Sequence, residues 1–337
     1  MEREGKLYCG ILTRIYIIMI LTGCSSVIYM PEDRQDVHII FEGSTMKSRS
    51  YDPDEDKVTD ISLMIFDETG DAEECIWLAD GEKECTAKLI MNKEYTFCAC
   101  ANFGRRIYAD HIDELDEIRF HLAYPDEYRN GIPMMADTDY IEIPKDGVIT
   151  LKFIRLMSKI SIRIDRSRLS EDVSINIRGI RIGNCPKSVA VFSESRAKDS
   201  DDCFPLGFSK EDEECYPLNT MESKGLSYPI SLYMLENMQG KFSDYPISND
   251  SEKVFDTYDP RWETCSYIEL DIDYLSPDKV SKDGYLKYRF FLGENRNDLS
   301  IERNCHYQIT VTPEDDGLKE DSWRVDKSCI TSTSWPR

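Results

Sequence analysis

Twelve cysteines are the side chains with most chemical scope in this 337-residue chain, since a thiol can be a nucleophile, half of a disulfide or a metal ligand. Spacing narrows the choice. No Cys-x-x-Cys pair occurs, so neither a zinc ribbon nor a thioredoxin-type redox motif is indicated. Cys24 ends the run Leu21-Thr22-Gly23-Cys24, directly after an apolar stretch. There the fitting chemistry is lipidation: the thiol takes a diacylglycerol group, and cleavage between Gly23 and Cys24 makes Cys24 the first residue. Cys75 and Cys85 flank Ala79-Asp80-Gly81. A three-residue loop with Gly81 in the left-handed region sets them opposite each other across a hairpin and predicts a disulfide. A two-residue Asp80-Gly81 turn would instead set Cys75 opposite Thr86. Cys98 and Cys100, two apart on a strand, share one face and read as small buried hydrophobes.

Other reactive constellations are missing from the sequence. His38, His111, His121 and His306 form no ligand spacing such as H-E-x-x-H. There is no G-x-S-x-G elbow, no G-x-G-x-x-G and no G-x-x-x-x-G-K. Asp52-Pro53-Asp54-Glu55-Asp56 lacks EF-hand spacing and its central glycine, and reads as solvated loop charge. No carboxylate pair is singled out for glycoside hydrolysis. Trp77, Trp262, Trp323 and Trp335 would form a sugar-stacking platform only if they lined up on the surface. The sequence therefore predicts no enzyme, metal, cofactor or small-molecule substrate.

These residues must be carried by an address segment and a folded part. Arg3, Lys6 and Arg14 precede the run Ile15-Tyr16-Ile17-Ile18-Met19-Ile20-Leu21, a basic start and short apolar core of the secretory kind. The core is too short to span a bilayer as a finished helix. With Cys24 the pattern resembles a bacterial lipobox. It predicts a signal peptide over 1–23 and a lipoprotein held by acyl chains such as palmitate, each buried CH₂ contributing about 0.8 kcal/mol. Residues 24–36 read as a tether. Lys plus Arg total 41 against 64 Asp plus Glu, a net charge of -23, which repels phosphate backbones and argues against a nucleic-acid partner.

The folded part reads as short strands between turns. Val37-His38-Ile39-Ile40-Phe41 opens it, and strands follow at 61–67, 87–91 and 95–103. Ile112, Leu115, Ile118 and Leu122 repeat at helical spacing and predict a helix over 112–122. Across 148–165 the apolar parity switches, from 151 and 153 to 154, 156, 160, 162 and 164, which requires a bulge or a change of sheet. A domain boundary is placed there. The parity also changes at Gly179, between Ile175 and Ile177 on one side and Ile180 and Ile182 on the other. Residues 189–228 read as a long polar insert, and strands return at 230–236, 265–274, 286–292 and 307–312. Many strands with almost no helix predict an all-β chain of sandwich domains, 37–154 and 155–337.

Several segments together resemble the FimB-type fimbrial anchor and fimbrillin-like lipoproteins of Gram-negative gut and oral anaerobes, components of type V pili. They are the lipobox, residues 61–67 with Gly70, 95–102, Ile132-Pro133-Met134, Arg155 with Lys159-Ile160, Leu235-Glu236-Asn237-Met238-Gln239-Gly240, Tyr288-Arg289-Phe290-Phe291-Leu292-Gly293, Arg303-Asn304 with Tyr307, and Trp323-Arg324-Val325. The resemblance implies two transthyretin-like Greek-key β-sandwiches. It implies a fimbrium component, anchor or tip, working in pilus assembly and cell adhesion by β-strand complementation with other fimbrial subunits at the cell outer membrane. Cysteine richness and the 189–228 insert depart from the pattern. Processing after a basic residue in that family points to Arg34 and Arg49 around the first strand, and residues 329–336 are a candidate donor tail. A surface glycan-binding lipoprotein of a nutrient-uptake system is the alternative reading.

Overall fold

A computed structural model describes residues 34–43, 55, 57–223, 225–241, 263–275, 284–294, 298–319 and 322–329. The described chain is all-β. Its first ten strands are β1 (Arg34–Glu42), β2 (Ile61–Phe66), β3 (Ala72–Leu78), β4 (Glu84–Ile90), β5 (Glu94–Ala101), β6 (Arg119–His121), β7 (Met134–Asp137), β8 (Ile141–Glu142), β9 (Val148–Lys152) and β10 (Ile154–Arg155). They build a sheet β4-β1-β9 facing a second sheet β10-β7-β5-β2-β3, with β8 paired to β5. Val37, Ile39 and Phe41 alternate inward on β1, and with Leu63, Ile65, Phe97, Leu89, Leu151 and Phe153 they form one apolar core.

The remaining strands are β11 (Met157–Ile164), β12 (Ser174–Gly183), β13 (Cys185–Pro186), β14 (Ser188–Ala190), β15 (Cys203–Phe204), β16 (Ser209–Glu211), β17 (Ile230–Leu235), β18 (Tyr267–Leu275), β19 (Gly284–Phe291), β20 (Cys305–Val311) and β21 (Trp323–Cys329). They form sheets β17-β11-β20-β21 and β16-β12-β18-β19, with small pairs β13-β15 and β14-β6. A second core joins Ile160, Ile162, Ile180, Ile268, Leu270 and Ile309 to Met64, Phe66, Cys98 and Cys100 from the earlier strands. Strands β2 and β5 are thus buried on both faces, which explains their largely apolar runs. Residues 35–337 form one compact unit.

The parity switch is a change of sheet. β9 pairs with β1, β10 with β7, and β11 with β17 and β20, all within residues 148–164. Ile149, Leu151 and Phe153 enter the first core; Leu156, Ile160, Ile162 and Ile164 enter the second. The parity change at Gly179 is a register shift between Ile177 and Gly179 against β18. At the turn after β2, Gly70 takes φ +89°, and a Cβ there would lie 2.8 Å from His111 Nε2 and from Ile112 Cγ2.

Three expectations are corrected. The helix over 112–122 is a 3₁₀ turn, Ile112–Glu117, that ends at Ile118 with ψ 119° and gives way to β6. Residues 119–121 find partners on β14, 67 or more residues away in sequence, and those ladder bonds override the helical pattern. The 189–228 segment is folded rather than a loose polar loop: Val189, Val191, Cys203, Cys215 and Leu218 enter the second core. The loop at 79–81 has the expected left-handed residues, Asp80 at φ 55° and Gly81 at φ 78°. It is a crossover between sheets, however, since β3 pairs with β2 and β4 joins β1.

Candidate functional site

β1 is the central strand of its sheet, parallel to β9 from His38↔Val148 to Glu42↔Lys152. Its Val37 and Ile39 are fully buried, and the Phe41 ring stacks on Phe153 at 5.6 Å and 13°. His38 stays half-exposed on the opposite face, 3.4 Å from Glu84. A strand with neighbours on both sides and an apolar inner face supplies backbone hydrogen bonds and core together. Without it, β4 and β9 would each present an unpaired edge over an open groove.

Glu55 enters the protein's second half from the segment after β1. Its carboxylate Oε1 accepts from Lys159 Nζ at 2.8 Å and from Tyr233 Oη at 2.6 Å. Arg155 Nε donates to the Glu55 carbonyl at 3.2 Å, and its guanidinium lies 3.9 Å from Oε2. Glu55, Arg155 and Lys159 are all buried. Of the acidic run at 52–56, only Glu55 lies among the described residues, and it is a buried partner of β10, β11 and β17 rather than solvated charge.

A second polar node fixes the 190–197 segment. Arg303 donates to both oxygens of Glu236 and to the carbonyls of Ala190, Val191 and Ser193 at 2.6–3.0 Å. Glu236 Oε2 also accepts from the Ser195 amide at 2.9 Å. Asn237, fully buried, donates to Thr264 O and Ser266 Oγ and accepts from the Ala197 amide. The 235–240 and 303–304 motifs are therefore internal scaffolding.

β21 lies on the edge of its sheet, antiparallel to β20 from Cys305↔Cys329 to Val311↔Trp323. A disulfide joins the first of these pairs, Cys305–Cys329. At the other end Trp323 stacks on Phe290 at 4.7 Å and 9°, so it is packed and forms no open platform. Lys327 donates to Glu302 at 2.6 Å and to Glu294 at 3.2 Å. In the other sheet, Glu269 of the inner strand β18 is buried beneath Arg181, Lys287 and Arg289. Burial alone would raise its pKa, but hydrogen bonds from Lys287 and Arg289 and the charge of Arg181 hold it below the ordinary 4.5. A depressed carboxylate adds stability that is present above its unfolded pKa and lost as pH falls through the folded value. Acid unfolding of the wild type is therefore expected to steepen below pH 4.5 relative to Glu269→Gln. Parallel pH–stability curves for the two proteins would refute this.

The expected Cys75–Cys85 bridge is not formed: both are free thiols, because their strands belong to different sheets. Cys98 and Cys100 do share one face and are buried in the second core, where burial drives their thiols well above the ordinary value. The Cys305–Cys329 pairing was not singled out by sequence; only the register of β20 on β21 reveals it. His111 caps the 3₁₀ turn by accepting from the Asp113 amide, and His306 Nε2 lies 2.7 Å from Ser161 Oγ. Trp77 is half-buried on β3. Gly23, Cys24, Arg49, Trp262, Trp335 and residues 330–337 lie outside the described residues. Among the described residues no helix is long and apolar enough to cross a membrane.

A family model described as a domain of unknown function, DUF4906, matches residues 232–311, from β17 through β20. No curated protein sequence matches the chain. Solved structures share its fold over most of their length. One, assigned to cell adhesion in Bacteroides eggerthii, is 12% identical with TM-score 0.57, covering 88% of this chain and 96% of that one. The tip fimbrial protein Mfa3 from Porphyromonas gingivalis, with a C-terminal truncation, is 14% identical with TM-score 0.51, covering 87% and 99%. A fimbrilin from Porphyromonas gingivalis is 12% identical with TM-score 0.51, covering 84% and 91%.

Proposed function

We propose that this chain is a lipid-anchored subunit of a fimbrium, serving pilus assembly and cell adhesion from the outer membrane. Residues 1–23 are removed, Cys24 carries the lipid, and 24–36 tether two transthyretin-like sandwiches, 37–154 and 155–337. The observation that carries this reading is the fold shared almost end to end with a tip fimbrial protein and a fimbrilin, with β1 as the inserted central strand of its sheet. Contacts with other fimbrial subunits then form by strand complementation, in which backbone bonds give affinity and alternating side chains give register.

The direction of complementation follows from the proposed lipid at Cys24 and the place of β1 in its sheet. Cutting after Arg34 would part the folded unit from Cys24, and cutting after Arg49 would also remove β1 with its buried Val37, Ile39 and Phe41. An anchored subunit keeps both, so it ends a polymer at the membrane and takes a partner's extended segment along an outer edge such as β19. The candidate donor tail, residues 329–336, begins at Cys329, which is bridged to Cys305.

Intact-mass analysis of the membrane-extracted protein is expected to find acylated Cys24 as residue one, with fimbrial subunits co-purifying. Cys24→Ala should release essentially all of the protein from the membrane, since durable anchoring needs two or more acyl chains. A mature N-terminus at Gln35 or Ser50 would rule out the anchor role.

A further inference from the structure

Apart from the strands and their edges, the described surface has a cationic hollow that is unexpected in a chain of net charge -23. It is a cleft of about 300 Å³ bounded by Arg105, Arg106, Tyr108, Glu117, Arg119 and His121. Three guanidiniums thus face one carboxylate. Arg106 gives one N–H to the Cys75 carbonyl at 2.9 Å, and Arg119 gives one to Ser188 Oγ at 3.1 Å. These bonds orient the two forks yet leave most of their five donors unspent. Arg105 makes no hydrogen bond or ion pair among the described residues.

The walls are built before any ligand arrives. The Ile107 amide donates to Ser62 Oγ at 2.8 Å, and the Phe103 amide donates to Asp60 at 3.0 Å, fixing the arginine-bearing loop on β2. β6 is held by its ladder to β14 and by Phe120 packed edge-on against Phe103 at 5.0 Å. Tyr108 is 69% exposed, a large ring left at the rim. His121 stands exposed at the rim, where partial desolvation of its ring, then the charges of Arg119 and Arg105, lower its pKa.

We propose that this cleft binds an acidic sugar, one pyranose-sized ring carrying a carboxylate. Arg105 and Arg119 receive the carboxylate, because a guanidinium fork matches its two oxygens. Tyr108 offers an apolar ring face with a polar tip, suited to stacking on a sugar that is also hydrogen-bonded. The volume is at the lower limit of small-molecule sites, roughly 300–1,000 Å³, which suits a single sugar unit. The assignment is independent of the pilus reading, since it concerns the chain alone.

Purified full-length protein in detergent would be titrated with glucuronate, N-acetylneuraminate, glucose and inorganic phosphate, by calorimetry and by NMR of the His121 ring. At least one acidic sugar is expected to bind about tenfold or more tightly than glucose and to raise the His121 pKa. Arg105→Glu should weaken that binding about tenfold or more while leaving the melting temperature unchanged, since Arg105 has no hydrogen-bond or ion-pair partner among the described residues. Tyr108→Ala should weaken it by roughly two- to tenfold. The proposal is overturned if neither acidic sugar binds, if glucose binds equally well, or if Arg105→Glu binds like wild type. Phosphate binding as tightly as the acidic sugars would likewise overturn it, reducing the cleft to a general anion site.

Discussion

Replacing Glu55 by alanine is expected to remove about 3–5 kcal/mol of folding stability, a large share of the total for a protein of this kind. The carboxylate is buried with Lys159 at 2.8 Å, Tyr233 at 2.6 Å and Arg155 alongside, and its loss leaves two buried cations without that countercharge. An exposed ion pair would count for little, but water cannot reach these groups to compensate. Glu55→Gln retains an acceptor for Tyr233 and loses the charge, so it should fall between wild type and alanine. A Glu55→Met, Lys159→Met pair should recover much of the loss, because the charge and its partner leave together. Chemical denaturation followed by circular dichroism measures all three. A Glu55→Ala change under 1 kcal/mol would show that the burial is not maintained in solution. The expected effect is global, because Glu55 joins the segment after β1 to β10, β11 and β17.

Removing the Cys305–Cys329 bridge is the second large change expected. The cysteines are 24 residues apart, and closing a loop of that size restrains the unfolded chain by about 3.5 kcal/mol. Cys329→Ser, Cys305→Ser and the double variant should lose similar amounts, since one bond is deleted in each. The loss should appear first at the edge, with β21 peeling from β20. Trp323 is stacked on Phe290 at the far end of β21, so its fluorescence should report release before global unfolding. Indistinguishable denaturation of wild type and Cys329→Ser would discard the clasp. Thiol exchange should not scramble the bridge readily, because the attacking species is a thiolate. Burial pushes Cys185 and Cys203 up to about 12 and Cys85 and Cys215 up to about 11.

Local pattern alone determined much of this protein. Alternation placed β18 within two residues of its ends and found the inward-facing part of β1, Val37 to Phe41, because a half-buried strand must alternate whatever its neighbours are. The parity switches across 148–165 and at Gly179 required a break in regular pairing, since a period of two cannot shift without one; the structure makes the first a sheet change and the second a register shift. The sequence also located the two cysteines of β5 on one buried face. What it could not hold was pairing between distant segments. The 3.6-residue spacing at 112–122 was real, yet Arg119–His121 became strand because β14 supplied ladder partners. The loop at 79–81 had hairpin chemistry, yet β3 and β4 entered different sheets, which left Cys75 and Cys85 unbridged and gave the bridge to Cys305 and Cys329. Glu55 looked like one more solvated acid until β10, β11 and β17 brought two cations and a phenol around it. The cationic cleft gave no signal in sequence either, because its charge comes from the loop at 105–106 and from β6, which only the tertiary fold brings to one hollow. Turn and alternation preferences act over a few residues and can be read locally; sheet partners, buried charges and clefts depend on which distant surfaces exclude water together.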